Sequence, residues 1–402
     1  MLSISENKRY ILKNGEYFPF LADTAWTLLQ KLTYEEMVFY LDKRFEQGFN
    51  VIQVSALSED DGIRNPDRYG NLPFVGGDVY KPSLEYFKRI HFLADECHKR
   101  GMVLVLLPTW GDKFNLKQGI GPEIFTPENA LFYGRFLADF IGDRENIIWM
   151  LGGDRPLETQ NHFDIIDSMA KGIRSGEHIY HLMTFHPQGE ASSADYLKGK
   201  SYIDFHSLQS SHSFGGFNSH KMVKKTLETE FKPCIDAECF YEDFPIGFDI
   251  GWNYRFNVFD IVQRIYKNML SGALGHTYGH QSVWCFKEET DGEYLYSWKQ
   301  ALERPMAGLM KNINVLTGSI DIMSLKPSSI AVDTICAVGN GFVLVYVEKN
   351  QTVFIDPEGK YTFKSAKWFD PISGLFLNAD ILPQKNVVLS EFNNDAILII
   401  YY

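Results

Sequence analysis

The sequence predicts an α/β fold: a (β/α)8 TIM barrel with an N-terminal β-hairpin and a small C-terminal antiparallel β-sandwich. Eight short apolar runs alternate with eight amphipathic stretches between residues 20 and 312. This alternation is typical of parallel sheets, and eight strands close a barrel. After about residue 318, short alternating runs are separated by Gly, Pro, Asn and Asp, which predicts a sandwich. We therefore expect a barrel domain over residues 1–318 and a β-sandwich domain over residues 319–402.

The composition is that of a globular protein with an excess of acidic side chains. The 402 residues carry a net charge of −12, and 45% of them are hydrophobic and 15% aromatic. The negative charge and the lack of a dense Lys/Arg run argue against a nucleic-acid partner. The high aromatic share suits sugar recognition, in which flat rings pack against C–H groups, although core packing is the commoner role of any single ring.

The cysteines and the N-terminus bear on location. The cysteines form no CxxC pair and are odd in number, so we expect buried free thiols in a reducing compartment; they are Cys97, Cys234, Cys239, Cys285 and Cys336. Residues 1–8 lack the apolar core of a signal peptide, and no run approaches the ~18 apolar residues of a membrane span. We expect a cytoplasmic protein, or a secreted or periplasmic one if a leader has been removed.

The elements outside the barrel are a hairpin and a set of short strands. Residues 9–12 and 17–20 read as two strands joined by a turn at Asn14 and Gly15, and we expect this hairpin to cap the barrel. The predicted C-terminal strands are residues 330–337, 341–348, 352–355, 366–369, 387–389 and 396–401.

Eight strands and eight helices form the predicted barrel. The strands are residues 20–26, 50–57, 102–110, 146–154, 181–187, 202–209, 234–239 and 275–284. The helices lie near residues 33–47, 83–100, 127–142, 160–175, 192–198, 218–230, 256–271 and 296–312. Thr33 with Glu36, and Thr126 before Pro127, are helix start signals. An open doubly wound sheet, the alternative, needs a phosphate-binding glycine turn after the first strand, and residues 23–26 contain no glycine.

The carboxyl ends of the strands predict the site, because barrel enzymes place their chemistry there. Asp154 after the fourth strand and Glu238 after the seventh are the predicted catalytic pair. Glycoside cleavage needs one carboxyl group to protonate the leaving oxygen and another to meet the developing oxocarbenium ion. Tyr241 is predicted to hydrogen-bond Glu238. The residues predicted to bind a carbohydrate are Asp23, Trp26, Trp110, Arg155, His186, His206, Tyr241, Tyr278, Gln281 and Trp284.

Structural alternatives stand beside these roles. A strand-end carboxylate such as Asp23 or Asp154 could instead cap a helix or pair with a cation, and each tryptophan could belong to the core. Asp236 should point opposite to its neighbour along the strand and is predicted to be structural. His276 and His280 are four residues apart, but they fall in a strand and a loop without an HExxH motif, so we expect no metal and no cofactor.

Several segments resemble the apiosidase-like glycoside hydrolases, a glycoside hydrolase family 140-like barrel; they are residues 20–26, 48–54, 149–154 and 236–242. Residues 368–374 resemble a turn of the collagen-binding-type β-sandwich domain that commonly follows that barrel. The resemblance implies a (β/α)8 hydrolase of plant or microbial glycans, with Asp154 as acid/base and Glu238 as nucleophile. The known activity of the family is release of an apiose-containing disaccharide from pectin side chains. Characterised relatives are generally exported, so a chain without a leader fits an enzyme that acts on imported oligosaccharides.

Three hypotheses follow from the sequence. The first is a glycoside hydrolase, retaining by analogy with barrel glycosidases that carry this pair of carboxylates. The second is a carbohydrate-binding or scaffold protein whose barrel has lost catalysis, and the presence of both carboxylates counts against it. The third is a metal-dependent hydrolase, which chelation tests.

Overall fold

The computed structural model describes residues 1–59, 61–380, 387–389, 392 and 394–402. The chain begins with a three-stranded antiparallel sheet formed by β1 (Leu2–Ile4), β2 (Ile11–Lys13) and β3 (Glu16–Tyr17). The predicted hairpin is β2 and β3, and its turn at Asn14 and Gly15 has φ of 55° and 87°, as a two-residue type I′ turn requires. β1 was not predicted. Tyr10 and Tyr17 lie against Phe20 and Gly275, the first residues of two barrel strands, so the hairpin covers the amino end of the barrel.

All eight predicted barrel strands are confirmed, and one short antiparallel strand, β9, is added. They are β4 (Phe20–Thr24), β5 (Val51–Ser55), β6 (Val103–Leu107), β7 (Ile147–Gly152), β8 (Leu182–His186), β9 (Ala191–Ser192), β10 (His206–Gln209), β11 (Cys234–Glu238) and β12 (Gly275–Tyr278). The observed strands are shorter than predicted, most of them at their carboxyl ends and β10 at its amino end.

The barrel closes from two hydrogen-bonded sheets. One has the order β12-β4-β5-β6-β7-β8 and is parallel throughout, and the other has the order β11-β10-β9 with β10 and β11 parallel. Backbone hydrogen bonds cross the two seams, among them those from Asp204 N to Met183 O and from Leu274 N to Cys234 O, both 2.8 Å long. The residues of β6 are all buried, because side chains fill the interior and helices cover the outside.

Helices cover the barrel much as predicted. They are α1 (Leu28–Lys31), α2 (Tyr34–Glu46), α3 (Leu84–Lys99), α4 (Pro127–Ile141), α5 (Gln160–Gly176), α6 (Ser193–Leu197), α7 (Ser219–Thr229), α8 (Val258–Leu270), α9 (Trp298–Ala301), α10 (Pro305–Leu309) and α11 (Lys311–Thr317). The Thr33 and Thr126 caps are confirmed, each accepting from the backbone N–H three residues on. The helix predicted at 296–312 is divided, since Pro305 has no N–H to continue α9.

The C-terminal residues form the predicted antiparallel sandwich. Its strands are β13 (Lys326–Ser328), β14 (Ala331–Val332), β15 (Cys336–Gly339), β16 (Phe342–Val347), β17 (Thr352–Ile355), β18 (Ser365–Phe369), β19 (Phe376–Ala379), β20 (Val387–Leu389) and β21 (Ala396–Tyr401). A six-stranded sheet, β13-β15-β16-β21-β18-β19, faces a three-stranded sheet, β14-β17-β20.

The larger sheet of the sandwich is apolar on both faces. Val343 and Val345 pack into the core between the two sheets, while Leu344 and Tyr346 belong to the same core as the barrel. Because side chains alternate along a strand, β16 serves both cores with one run of apolar residues. The domain boundary at residues 318 and 319 stays a prediction.

All five cysteines are free, and all but Cys285 are buried. Within the described residues, no helix has the length and apolar character needed to cross a membrane.

Candidate active site

A cleft of about 580 Å³ opens at the carboxyl ends of the barrel strands, and this size is typical of small-ligand sites. His186 lies beneath it, with Nε2 3.1 Å from Oε2 of Glu238. The structure places both predicted carboxylates in one cleft, together with five of the ten predicted binding residues. The cleft-lining residues that the sequence singled out are Trp26, Trp110, Asp154, Arg155, Glu238, Tyr241 and Trp284.

Glu238 ends β11, and a β-bulge aims its side chain into the cleft. Leu208 pairs with Asp236, but the next residue of β10, Gln209, pairs with Glu238, so Ala237 is an extra residue on β11. Regular alternation would put residues 236 and 238 on the same face, and a bulge breaks that rule. Asp236 instead faces outward, where its carboxylate accepts from Ser210 Oγ at 2.5 Å. Its predicted structural role fits this placement.

Three side chains surround the Glu238 carboxylate with hydrogen-bond donors. The Tyr241 hydroxyl donates to Oε1 at 2.7 Å, which confirms the predicted hydrogen bond, and His212 Nε2 lies 3.4 Å from the same oxygen. Nδ1 of His186 lies 3.2 Å from the backbone N of Asp154 and 3.0 Å from the carbonyl oxygen of Pro187, while its Nε2 lies 3.1 Å from Oε2 of Glu238. Burial opposes ionisation of Glu238, but the hydrogen bonds and charge of His186 and His212 lower its pKa below the usual range.

Tyr241 is itself held in place by two contacts from distant parts of the chain. Trp26 Nε1 donates to the Tyr241 hydroxyl at 2.8 Å, so the indole orients the phenol that in turn donates to Glu238. A Cβ at Gly279 would lie 2.0 Å from Cδ1 of the Tyr241 ring, so only glycine fits there. Burial and the Glu238 charge raise the pKa of Tyr241 well above its usual value, which keeps the phenol a neutral donor.

Asp154 is delivered by a glycine turn at the end of β7. Gly152 and Gly153 have φ of 85° and 123°, and a Cβ on them would lie 2.5 Å from His186 O and 2.7 Å from Gly111 N. Asp154 follows with φ of 54°, a left-handed conformation that is uncommon outside glycine and clusters at functional sites. The turn lets the β7 backbone reach His186, so one imidazole contacts both predicted catalytic residues.

The surroundings of Asp154 favour its protonated form. Burial and the negative charge of Glu238 raise the pKa of Asp154 to about 7, while Arg155 and His186 act in the opposite direction. Arg155 is shared, because Nη1 lies 2.9 Å from Asp154 Oδ2 and Nη2 lies 2.7 Å from Glu59 Oε1. The Asp154 side chain is 27% exposed and that of Glu238 is 8% exposed, so Asp154 is the more open of the two to a ligand.

The tryptophans of the cleft divide into a floor and a wall. Trp26 and Trp110 are almost fully buried, with ring centroids 5.2 Å apart, and both rings lie near His186. Trp284 is half-buried and lines the cleft from the loop after β12. Trp284 is therefore the most open of the three rings to the cleft, whereas Trp26 positions Tyr241.

Five predicted binding residues do not line the cleft. His186 lies beneath it, and the placement of the other four corrects those predictions. Asp23 pairs with Arg44 of α2, with Oδ2 2.6 Å from Nε, and Tyr278 donates to Glu242 at 2.7 Å. His206 contacts Ser193 Oγ at 2.8 Å, on the side of α6. Each of these three side chains points out of the barrel toward the helices, where barrel strands direct half of their residues. Gln281 is buried, 1% exposed, and does not line the cleft.

Other cleft residues were not singled out as binding residues from the sequence. Glu59 and His212 lie three or four residues past the ends of β5 and β10, in loops that the list of strand-end residues did not reach. Extending that list through each loop would have included both. The remaining cleft residues missed by the sequence are Lys117, Gln118, Pro156, Gln188, Gly189, Glu190, Gln209, Ser211, Phe244, Phe248, Glu293 and Tyr294. Among the described residues, no group of three His, Cys, Asp or Glu side chains is arranged to hold a metal ion.

A parallel barrel with two carboxylates in an aromatic cleft at its carboxyl face is an architecture shared by barrel glycosidases. The family model "Apiosidase-like, catalytic domain" matches residues 5–324, and the chain belongs to this family. None of the curated proteins matches the chain.

Solved structures include close matches in fold. A glycoside hydrolase family 5 protein from Bacteroides vulgatus is 27% identical, with a TM-score of 0.88, over 100% of this chain and 93% of that chain. A structure described as a glycoside hydrolase is 25% identical, with a TM-score of 0.86, over 100% and 96% of the two chains. A GH5_18 protein from Streptomyces cattleya in complex with GlcNAc is 12% identical, with a TM-score of 0.52, over 75% of this chain and 81% of that chain, and shares the fold alone. The family and the first two structures support glycosidase activity.

Proposed function

We propose that this protein is a retaining glycoside hydrolase that cleaves an O-glycosidic bond in a plant or microbial oligosaccharide, with Glu238 as nucleophile and Asp154 as general acid/base. The observation that carries the proposal is that the pKa values of two carboxyl groups in one cleft are shifted in opposite directions. The pKa of Glu238 is lowered and that of Asp154 is raised to about 7. A retaining glycosidase needs this division, because the nucleophile must be ionised while the acid still holds its proton.

In the first step, a Glu238 oxygen attacks the anomeric carbon while Asp154 donates its proton to the leaving oxygen. The C–O bond to the leaving group breaks, and a glycosyl ester forms on Glu238. Tyr241 and His212 face Oε1 and His186 faces Oε2, so this donor set fixes the carboxylate before attack.

In the second step, Asp154 acts as a base. Formation of the ester removes the Glu238 charge that helps to raise the Asp154 pKa. The pKa of Asp154 therefore falls when the residue must hold a carboxylate that accepts a proton from water. The water oxygen attacks the anomeric carbon, and Glu238 leaves as a carboxylate.

Apiose-containing pectic oligosaccharides are the first substrates to test, because the chain belongs to the apiosidase-like family. A catalytically inactive carbohydrate-binding protein is the alternative from a different class. That alternative gives no reason for three donors on one carboxylate or for a raised pKa on the other.

The experiment is a screen for released sugar from pectic, mannan, xylan and microbial oligosaccharides, comparing the wild type with Glu238→Gln. We expect one glycan to be cleaved and turnover to fall about ten-thousand-fold in the variant, because the nucleophile is lost. Glu358→Gln is the matched control, since that side chain is 69% exposed in the sandwich domain. Unchanged thermal stability of Glu238→Gln would show that its loss of activity is chemical.

Stereochemistry tests the retaining mechanism separately. Proton NMR of the first product should show the anomer of the substrate, and an activated 2-fluoro derivative of the cleaved sugar should label the peptide that contains Glu238. An inverted first product would contradict the nucleophile assignment, and full activity in Glu238→Gln would contradict the proposed site.

A further inference from the structure

Two loops at the carboxyl end of the barrel expose three large aromatic rings, which we name the aromatic rim: Phe214, Phe248 and Trp252. Phe214 lies after β10, and the other two lie after β11. Their exposed fractions are 55%, 65% and 54%. Single exposed apolar residues are ordinary, but grouped ones mark sites of interaction.

The rings of the aromatic rim are arranged by specific contacts. Phe214 and Trp252 meet edge to face, with centroids 5.2 Å apart, although they come from different loops. Gly247 N donates to His212 O at 2.8 Å, which joins the two loops next to Phe248. The rim is therefore a built surface that links the loops after β10 and β11.

Phe248 adopts a strained backbone conformation, and the packing of its side chain does not offset the energetic cost. Its φ of 64° lies in the left-handed region, which costs a phenylalanine of order 1 kcal/mol or more. Two thirds of the side chain is exposed, so burial does not offset this cost. Strain of this kind persists where a function requires it.

The rim continues directly from the cleft. Phe248 lines the cleft itself, with its ring 5.1 Å from that of Phe244, another cleft residue. Ser213, which precedes Phe214 in the chain, donates from Oγ to Oε1 of Glu190 at 2.6 Å, and Glu190 lines the cleft. A chain that leaves the cleft beside Phe248 would therefore pass the two loops that carry the Phe214–Trp252 pair.

We infer that the aromatic rim is a distal glycan-binding subsite, which stacks on the neutral sugar units of an oligosaccharide that extends out of the cleft. This inference rests on the proposed function. Flat rings pack against the apolar C–H faces of sugars. Glu190 and Asp249 are the carboxylates beside these rings, so a neutral sugar fits this surface better than a uronate.

The test uses the full chain carrying Glu238→Gln, in affinity electrophoresis through gels that contain galactomannan, xylan or pectic polysaccharide. We expect at least one polysaccharide to retard the protein, and Phe214→Ala with Trp252→Ala to weaken retardation about tenfold. The matched control is Phe354→Ala, because that ring is 52% exposed on β17 of the sandwich. Circular dichroism confirms the fold of each variant.

Kinetics of the active enzyme separate this inference from the proposed function. The same rim substitutions should raise KM about tenfold for the longest oligosaccharide cleaved and leave an aryl monoglycoside of the same sugar unchanged. Equal KM and retardation in wild type and rim variants would overturn the inference and leave the glycosidase standing. Retardation that depends on the rim, without any hydrolysis, would support the inference and overturn the proposed function.

Two further outcomes would overturn the inference. One is the absence of retardation by every polysaccharide tested. The other is a change of oligomeric state in the rim variant, measured by sedimentation, with unchanged glycan binding, because the rim would then be an interface between copies of this chain.

Discussion

Glu238 and Asp154 share one cleft, but the groups that face them differ in kind. Glu238 receives donors from Tyr241, His186 and His212, and all of these favour its carboxylate. Asp154 faces the negative charge of Glu238 and shares Arg155 with Glu59. Burial disfavours ionisation of both residues, so the neighbours decide which one holds a proton.

The comparison shows how one barrel prepares two carboxyl groups for different tasks. The two carboxyl groups differ in whether their partners are shared. The hydrogen-bond donors around Glu238 are directed at Glu238, whereas Arg155 forms ion pairs with both Asp154 and Glu59. A substitution that removes a hydrogen-bond donor from Glu238 should therefore change the pH profile differently from one that removes a charge near Asp154.

After Glu238→Gln, the largest expected effect is from Asp154→Ala. Loss of the acid should reduce kcat about a thousandfold for sugars with poor leaving groups and much less for activated aryl glycosides, because those leave without a proton. Azide should restore turnover of the aryl glycoside by attacking the glycosyl ester in place of water. The control is Asp143→Ala, whose side chain is 83% exposed, and equal losses on both substrates would contradict the acid/base role.

Removal of one donor to Glu238 should have the next largest effect. Tyr241→Phe should lower kcat about a hundredfold, as loss of one preorganised hydrogen bond does. The acid limb of the pH profile should move to higher pH, because the Glu238 pKa rises when a donor is lost. Tyr80→Phe, at a ring that is 53% exposed, is the control. An unmoved acid limb would mean that Tyr241 does not act on Glu238.

Local patterns were sufficient to predict the eight parallel strands of the barrel, most helices and the two carboxylates. The alternation of apolar runs sets the barrel, and Thr33 and Thr126 mark helix starts with their own side chains. The strand-end rule then brings Asp154 and Glu238 to one face.

Contacts between residues that are distant in the sequence could not be predicted from these local patterns. The bulge at Ala237 turns Glu238 away from the face of Asp236, and Gly279 makes room for a ring 38 residues earlier in the chain. Asp23 looked like a strand-end ligand, but its side chain faces α2, a direction set by strand tilt and register. Such features depend on how the elements pack, so residue spacing alone does not predict them.

The contrast between outward and inward aspartates predicts a stability effect. Asp23→Ala removes one partner of a fully buried ion pair with Arg44 and should lower the free energy of unfolding by about 3–5 kcal/mol. Turnover per folded molecule should be nearly unchanged, because Asp23 does not line the cleft. Thermal unfolding together with kcat checks both, and Asp154→Ala should show the reverse pattern. A large loss of kcat in folded Asp23→Ala would contradict this prediction and would mean that Asp23 takes part in catalysis or binding.

The smallest expected effect is a shift of the basic limb of the pH profile. The active form needs a protonated Asp154, so kcat/KM should fall as pH rises through about 7, the raised Asp154 pKa. Glu59→Gln removes a negative charge that raises this pKa and frees Arg155, which lowers it. Both changes favour the carboxylate, so the basic limb should move to lower pH by about one unit.

Glu293→Gln is the matched control for Glu59→Gln, because Glu293 also lines the cleft and is exposed. Its pH profile should stay close to that of the wild type, since solvent screens an exposed charge. A basic limb that moves equally in both variants would mean that the cleft acts through its overall charge. A shift confined to Glu59→Gln would mean that Glu59 and the shared Arg155 control the pKa of Asp154. NMR titration of the Asp154 carboxyl group would measure this pKa directly.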